Sequence, residues 1–332
     1  RMCYTREESF FGHAKRHPFA ISHKTGFTKD GMITAAKIDI TSDSGPYIYT
    51  SPYVLMYATE TAPGPYRVEN LQIDSRCVAT NNMYTGSFRG FGAAQACIAY
   101  EQQMDEAAKA LGIDPMTLRR RNFFNTGDPI TTGYRIESAV WTDECATRAL
   151  AALGQCPANA GPIKFGHGVA VYQQPYGRLV WLNDTAEAWV SIELDGTVLV
   201  RCGMPDIGAG QISTLAQIAA EVLGVSLDSV SVHNGDSSTT PYAGTCTAVR
   251  GVFMSGNAVK LAAHAVRQRL TSRAAQELDV PAEQIDIAAA RVFVIGDQQR
   301  SMTLADLAGM CAADGIHRSE LAVYRAPTGE RL

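Results

Sequence analysis

Three short segments set glycine beside arginine, acidic or hydroxyl residues, and each runs directly into a helical pattern. The first is Ser87-Phe88-Arg89-Gly90-Phe91-Gly92-Ala93. Its glycines let a backbone approach a ligand closely, and the start of the following helix offers unpaired N–H groups and the positive end of a dipole. An arginine in such a turn suits a phosphate or an oxo group, because its planar fork of donors matches those oxygens. Phe88 and Phe91 would wall a planar ligand. The second segment, Met204-Pro205-Asp206-Ile207-Gly208-Ala209-Gly210-Gln211, has the successive amides of an anion-binding nest. The third runs from Tyr242 to Gly251 and on through Ser255-Gly256-Asn257-Ala258, with small and hydroxyl residues beside Arg250. Several charge-assisted hydrogen bonds, at about 1.5–3 kcal/mol each, would hold a large anionic cofactor. Taken singly, each segment also reads as plain turn geometry, with the aromatics in a core and the arginine capping carbonyls.

Other chemistries fit less well. Ser213 stands where a dinucleotide fingerprint has its third glycine, and no wider βαβ unit surrounds it. The glycine–lysine loop of P-loop NTPases, the G-x-S-x-G of serine hydrolases and the H-E-x-x-H of zinc proteases do not occur. His13 and His17 stand four apart, but Pro18 directly after them favours extended chain over a metal-binding helix face. The eight cysteines are scattered without a C-x-x-C pair, so neither zinc nor an iron–sulfur cluster is expected on this chain. They read as buried, reduced thiols of a cytoplasmic protein. Glu101, Glu106 and Glu137 form no evident acid–base pair, and Arg119-Arg120-Arg121 reads as a solvated helix face.

The elements that must position these segments follow from composition and periodicity. At 332 residues, 46% hydrophobic and 19% charged, the chain can bury a substantial core, suggests about two domains and is not disordered. A net charge of −4 disfavours broad nucleic-acid binding. No run of apolar residues is long enough for a membrane span. The chain begins at Arg1 without methionine and looks like a piece of a longer polypeptide.

Residues 17–44 read as a hairpin turning at Lys29-Asp30-Gly31. Pro52 to Tyr57 reads as a short helix and Leu71 to Val78 as a strand. A helix should leave Gly92 and stop at Gly112, with an apolar stripe of Cys97, Ile98, Met104, Ala107 and Leu111. Asp114 and Pro115 start another, and Asp143 to Leu153 reads as a third. The turn-rich stretch Gln155 to Pro162 is the best boundary. Beyond it come a hairpin around Asp195-Gly196, a helix from Gln211 to Leu223, a strand at Val230-Ser231-Val232 and a long helix over 251–278. A strand near 291–295 and a helix from Leu304 to Ala313 complete an α+β pattern of mixed sheets and hairpins packed with helices.

In this order, the three segments resemble the molybdenum hydroxylases, the family of xanthine dehydrogenase and aldehyde oxidoreductase. Phe88-Arg89-Gly90-Phe91-Gly92 matches the family's F-R-G-F-G. Met204 to Gly210 resembles its later G-Q-G loop, and Thr247 through Val259 the turn and helix after that. Tyr4-Thr5-Arg6-Glu7-Glu8, Arg16-His17-Pro18-Phe19 and Arg120-Arg121-Asn122-Phe123 extend the similarity over nearly the whole chain.

The resemblance implies molybdopterin-binding domains of the xanthine dehydrogenase type, with 1–155 finishing one domain and 156–332 beginning a second. It implies an oxidoreductase hydroxylating an N-heterocyclic, aromatic or aldehyde substrate with oxygen from water. The cofactor would be molybdopterin with molybdenum, with or without a nucleotide extension. Iron–sulfur clusters and FAD would sit on other segments or subunits, which with the rest of the molybdopterin subunit would be the chain's partners. By the same resemblance, Phe88, Arg89, Gly90, Gly208, Ala209, Gly210, Gln211 and Thr247-Ala248-Val249-Arg250-Gly251 would contact the cofactor, and Tyr57 and Phe91 the substrate.

Two departures from the family pattern stand out. Ala209 replaces a frequent glutamine, and Tyr57 falls where purine-oxidising members place an arginine. The family's catalytic glutamate belongs to a later G-x-G-E segment. Gly329-Glu330 lacks that context, so no catalytic residue and no metal ligand is assigned here, and the chain alone is expected to be inactive. The competing expectation is a non-catalytic binding or assembly domain whose glycine turns only pack.

Overall fold

The computed structural model describes residues 3–159, 161–174, 184–247 and 250–326. It divides into two compact units, one built from residues up to 175 and the other from 176 to 328.

The first unit begins with α1 (Arg6–Gly12), which the periodicity did not announce. A capping box starts it: the Thr5 hydroxyl accepts from the Glu8 amide, and the Glu8 carboxylate accepts from the Thr5 amide. The expected hairpin forms as β1 (Phe19–Phe27) and β2 (Ile33–Asp43). After α2 (Ser51–Glu60), β3 (Asn70–Val78) joins parallel to β2, giving a sheet of order β1-β2-β3. Ile38 and Ile40 are fully buried beneath α2. The long α3 (Ala93–Leu111) packs on β1 and ends at Gly112 in the left-handed conformation. Asp114 caps α4 (Pro115–Asn122) by accepting from the Thr117 amide at 2.8 Å. The last helix of this unit is α5 (Thr142–Leu153).

Two expectations are corrected here. The buried face of α3 is Ala93, Ala96, Tyr100, Met104 and Ala108, while Ile98 is 63% exposed. Met104 of the expected stripe is buried and Cys97, Ala107 and Leu111 pack against the same core, so Ile98 alone of that stripe points outward. Second, Arg119 is not solvated but fully buried, where it pairs with Glu101 and Asp105. Arg120 and Arg121 are exposed. The described residues beyond the turn-rich stretch, through Gln174, belong to this unit, and Val169 and Val171 pack into its core.

The second unit is a sheet of order β10-β4-β5-β6 covered by helices. It comprises β4 (Thr185–Ile192), β5 (Val198–Cys202), α6 (Gln211–Leu223), β6 (Val230–Asn234) and α7 (Gly256–Glu277). Then follow β7 (Ile285–Ala288), β8 (Arg291–Val294), β9 (Asp297–Thr303), α8 (Leu304–Ala313) and β10 (Ser319–Arg325). The strands β7, β8 and β9 form a separate antiparallel sheet. Ala186, Ala188, Val190 and Ile192 alternate on the face under α7, the two-residue period of a half-covered strand. A π-type turn over Gly251–Ser255 precedes α7. The strands β7, β9 and β10 are additions to the sequence reading.

All eight cysteines are free thiols. The expectation that they are buried holds for Cys202 and Cys311 only. Cys3, Cys145 and Cys156 are exposed. Among the described residues no helix is long and apolar enough to cross a membrane, and no three His, Cys, Asp or Glu gather as a metal site.

Candidate functional site

The first turn is held by the chain entering β1. Gly86 N–H donates to the Lys15 carbonyl at 3.0 Å, and Arg16 lies over the Phe88 ring at 4.5 Å. Gln95, in the first turn of α3, accepts from Arg16 and donates to the His17 carbonyl. Gly92 has φ +99°, and a Cβ there would stand 2.2 Å from the Val54 carbonyl of α2. Only glycine lets the start of α3 meet the α2 backbone this closely. Phe91 has φ +47°, an uncommon conformation for a bulky residue. That conformation brings its ring edge-on to Tyr57, with centroids 5.2 Å apart and an interplanar angle of 86°. Tyr57 and Phe91, both expected at the substrate, are therefore brought together. Phe88 and Arg89 are exposed on the same turn.

In the second unit the other two segments also meet. Gln211, the first residue of α6, is buried, and its amide nitrogen reaches Cys246 Sγ at 3.8 Å. A Cβ at Gly251 would touch Gln211 Cγ, Met204 Sδ and Cys246 Sγ. The nest carries its own anion: Asp206 accepts from Gly208 N–H at 2.7 Å and Ile212 N–H at 3.3 Å. These amides hold its carboxyl below the usual range. Burial pushes the Cys246 thiol up.

Arg250 does not fill the role its sequence position suggested. Its Nε donates to Asp184 at 2.7 Å, Nη1 to the Ala243 and Thr245 carbonyls, and Nη2 to the Thr185 carbonyl. With full burial and these four bonds, its guanidinium is a staple for the 243–247 loop rather than an anion ligand. Thr247 and Gly251 flank the turn it shapes. Ala248 and Val249 lie outside the described residues, as does Gly329-Glu330.

Molybdopterin carries donors on its ring and an anionic phosphate, which gives a test of fit. The Gln211 Oε1 is buried without a partner, an acceptor suited to a ring N–H. A Cβ at Gly210 would meet nothing within 4 Å, so the start of α6 is open to an approaching ligand. These two features fit the group.

Sequence reasoning missed three residues that shape the sites. Asp184 and Glu101 sit far along the chain from the arginines they pair with, so no local pattern marks them. His17 is buried, its Nε2 2.8 Å from Ser51 Oγ and its Nδ1 without a partner. Burial, the largest influence, holds it below the ordinary imidazole value, against the opposing charge of Asp43.

Comparison with known proteins agrees with these observations. Two molybdopterin cofactor-binding domain models match, one over residues 1–123 and the other over residues 147–331. A probable xanthine dehydrogenase subunit of Bacillus subtilis (strain 168) is 32% identical over 287 residues, covering 85% of this chain and 38% of the relative. The nicotinate dehydrogenase large molybdopterin subunit of Eubacterium barkeri is 41% identical over 149 residues, covering 45% of this chain and 35% of the relative. The chain thus spans well under half the length of these curated relatives. Quinoline 2-oxidoreductase from Pseudomonas putida 86 shares the fold, with a TM-score of 0.78, 24% identity and coverage of 97% of this chain and 44% of that one. The chain belongs to the molybdenum hydroxylase family, and the two matched models are its molybdopterin cofactor-binding domains.

Proposed function

We propose that this chain is part of the molybdopterin-binding catalytic subunit of a cytoplasmic hydroxylase acting on an N-heterocyclic, aromatic or aldehyde substrate. The chain contributes to two cofactor-binding domains that part near residue 175, later than the 155/156 boundary the turn-rich stretch suggested. The observation that carries the substrate reading is the edge-to-face pair of Tyr57 and Phe91 beside the exposed Arg89 turn. The half-buried Phe91, backed edge-on by the buried Tyr57, offers a planar ring a surface for stacking and edge contacts. Tyr57 brings a phenol rather than a guanidinium, which disfavours anionic purines such as xanthine.

The bound molybdenum group supplies oxidation of the substrate carbon with oxygen drawn from water. The chain's residues bind and orient. Arg89 with the Phe88 and Gly90 backbone would contact the cofactor, while Phe91 and Tyr57 would set the substrate ring. The open start of α6 at Gly210 and Gln211, with Gly208 and Ala209 leading into it, would hold the pterin and its phosphate or nucleotide extension, the Gly208 N–H being already engaged by Asp206. The segment Thr247-Ala248-Val249-Arg250-Gly251 would border the same group, with the Arg250 side chain holding the 243–247 loop in place. The general base, the iron–sulfur clusters and the FAD are supplied by other segments or subunits.

The test is metal and pterin analysis of the complete protein with its partner subunits. Molybdenum and pterin in matching, near-stoichiometric amounts are expected. Absence of both would leave a non-catalytic binding or assembly domain as the better account.

A further inference from the structure

The main sheet of the second unit ends in β10, and that end is built unlike the outermost strands β3, β6 and β9. The antiparallel ladder between β10 and β4 runs from Ser319 opposite Ser191 to Arg325 opposite Thr185 without a bulge. The Ile192 N–H donates to the Arg318 carbonyl at 3.0 Å, which sets the alternation of the ladder. Glu320, Ala322 and Tyr324 therefore bond to β4, and the N–H and C=O groups of Ser319, Leu321, Val323 and Arg325 point away from it. Arg269 takes the Ser319 carbonyl at 2.8 Å. Among the described residues no hydrogen bond reaches the outward groups of Leu321, Val323 or Arg325.

The same residues carry apolar side chains on the open face. Leu321 and Val323 are each 51% exposed, while Ala322 and Tyr324 between and beside them pack into the core. Leu321 stands opposite Trp189, whose ring has Arg201 over it at 4.8 Å. The other outermost strands are blunted. β3 exposes Asn70, Gln72, Asp74 and Arg76, and β9 exposes Asp297 through Arg300. β6 is five residues long and exposes Ser231 and His233. Polar and charged rows of this kind keep unwanted chains off a sheet edge. A seven-residue edge with exposed leucine and valine and no bulge is instead a template for another strand.

An edge of this kind left open pairs with any chain it meets, so its occupant must be present whenever the protein is folded. The relatives matched above are more than twice as long as the stretch they share with this chain. A segment of the same polypeptide is always present and is tethered at high effective concentration. We propose that the outer edge of β10 is paired, in the complete subunit, with a strand from the part of that subunit outside residues 1–332. The added strand extends the four-stranded sheet by one and sets its own apolar side chains beside Leu321 and Val323. This inference does not depend on the cofactor or substrate readings.

Residue-resolved amide exchange on the complete enzyme reads the pairing directly. On a free edge the inward amides of Glu320 and Ala322 are protected and the outward amides of Leu321 and Val323 are not, a difference of about 10²-fold or more. With the strand in place, all four should be protected to within about tenfold of one another. Val323→Pro removes an outward N–H and keeps the bonds of Ala322 and Tyr324 to β4. It should return Leu321 to fast exchange while Glu320 stays slow, whereas on an open edge it would change neither. Leu321→benzoylphenylalanine, photolysed in the complete enzyme, identifies the occupant by mass. A cross-link within one subunit, to a peptide outside residues 1–332, is expected. An alternating exchange pattern in the complete enzyme, or a cross-link found anywhere else or nowhere, would overturn the inference.

Discussion

Two arginines occupy similar glycine-containing turns at helix starts, and the structure treats them in opposite ways. Arg89, in the first unit, is exposed on a turn whose glycines and strained Phe91 bring a second aromatic, Tyr57, alongside. Arg250, in the second, is fully buried and spends its donors on Asp184 and three backbone carbonyls. A guanidinium beside small residues is thus not by itself an anion site. It becomes a staple where carbonyls and a carboxylate enclose it, and stays at the surface where the turn is open to solvent.

The largest effect should come from the staple. Arg250→Ala leaves Asp184 and three carbonyls without their donor, and should destabilise the second unit by about 3–5 kcal/mol in denaturant unfolding. An unchanged midpoint would erase the distinction between the two turns. Arg89→Ala should do the converse in the complete enzyme. Stability should hold within about 0.5 kcal/mol while turnover falls by about 10²-fold or more. Normal turnover would remove Arg89 from the site.

The aromatic pair gives a finer measure. A double-mutant cycle with Tyr57→Leu and Phe91→Leu should show a coupling of about 0.5–1.5 kcal/mol, and additivity would mean that the edge-to-face contact is incidental.

The smallest effect is a pH dependence in the first unit. Burial lowers the pKa of both His17 and His23 from the ordinary 6.5, against the pull of Asp43 on His17 and of the Ala62 carbonyl on His23. The unfolded chain then binds more protons than the folded one just below that value. Stability is therefore full above about 6.5 and is lost as pH falls through the folded values. Amide protection in β1 and α2, taken relative to the intrinsic exchange rate at each pH, should fall on going from about pH 7 to about pH 5, and His17→Gln should flatten the trend. An identical slope in that variant would show that the burial of His17 does not set it.

Much of the fold was legible because its signals are local. Asp114 followed by Pro115 starts α4, Gly112 and Gly224 end α3 and α6, and Asp195-Gly196 turns the hairpin of β4 and β5. Each depends on dihedral preferences or a cap within a few residues. The face of α3 was less legible. Cys97, Ala107 and Leu111 do pack against the core, but the buried row is centred on Ala96, Tyr100 and Met104, which leaves Ile98 outside. The short β7, β9 and β10 carry weak alternation, and their strand state depends on pairing partners far along the chain.

The candidate site divides in the same manner. Phe88 to Gly92 was readable as a turn that presents side chains, since glycine spacing and the helix start are written in five consecutive residues. The role of Arg250 was not, because Asp184 lies 66 residues away. The meeting of Gln211 with Cys246 spans 35 residues, and the hydrogen bond from Val171 N–H to Glu101 spans 70.

The amino-acid order alone determined where helices begin and end, which turns need glycine, and the family to which the chain belongs. The element ends and turns follow from dihedral sterics and from hydrogen bonds within a few residues, and the family from motifs kept in order along the chain. Only the tertiary structure decided which arginine is buried, which face of α3 turns inward, and which tyrosine stands at the glycine turn. Burying a charge or fixing a phenol takes partners from remote segments, and these converge only when the sheets and helices have packed.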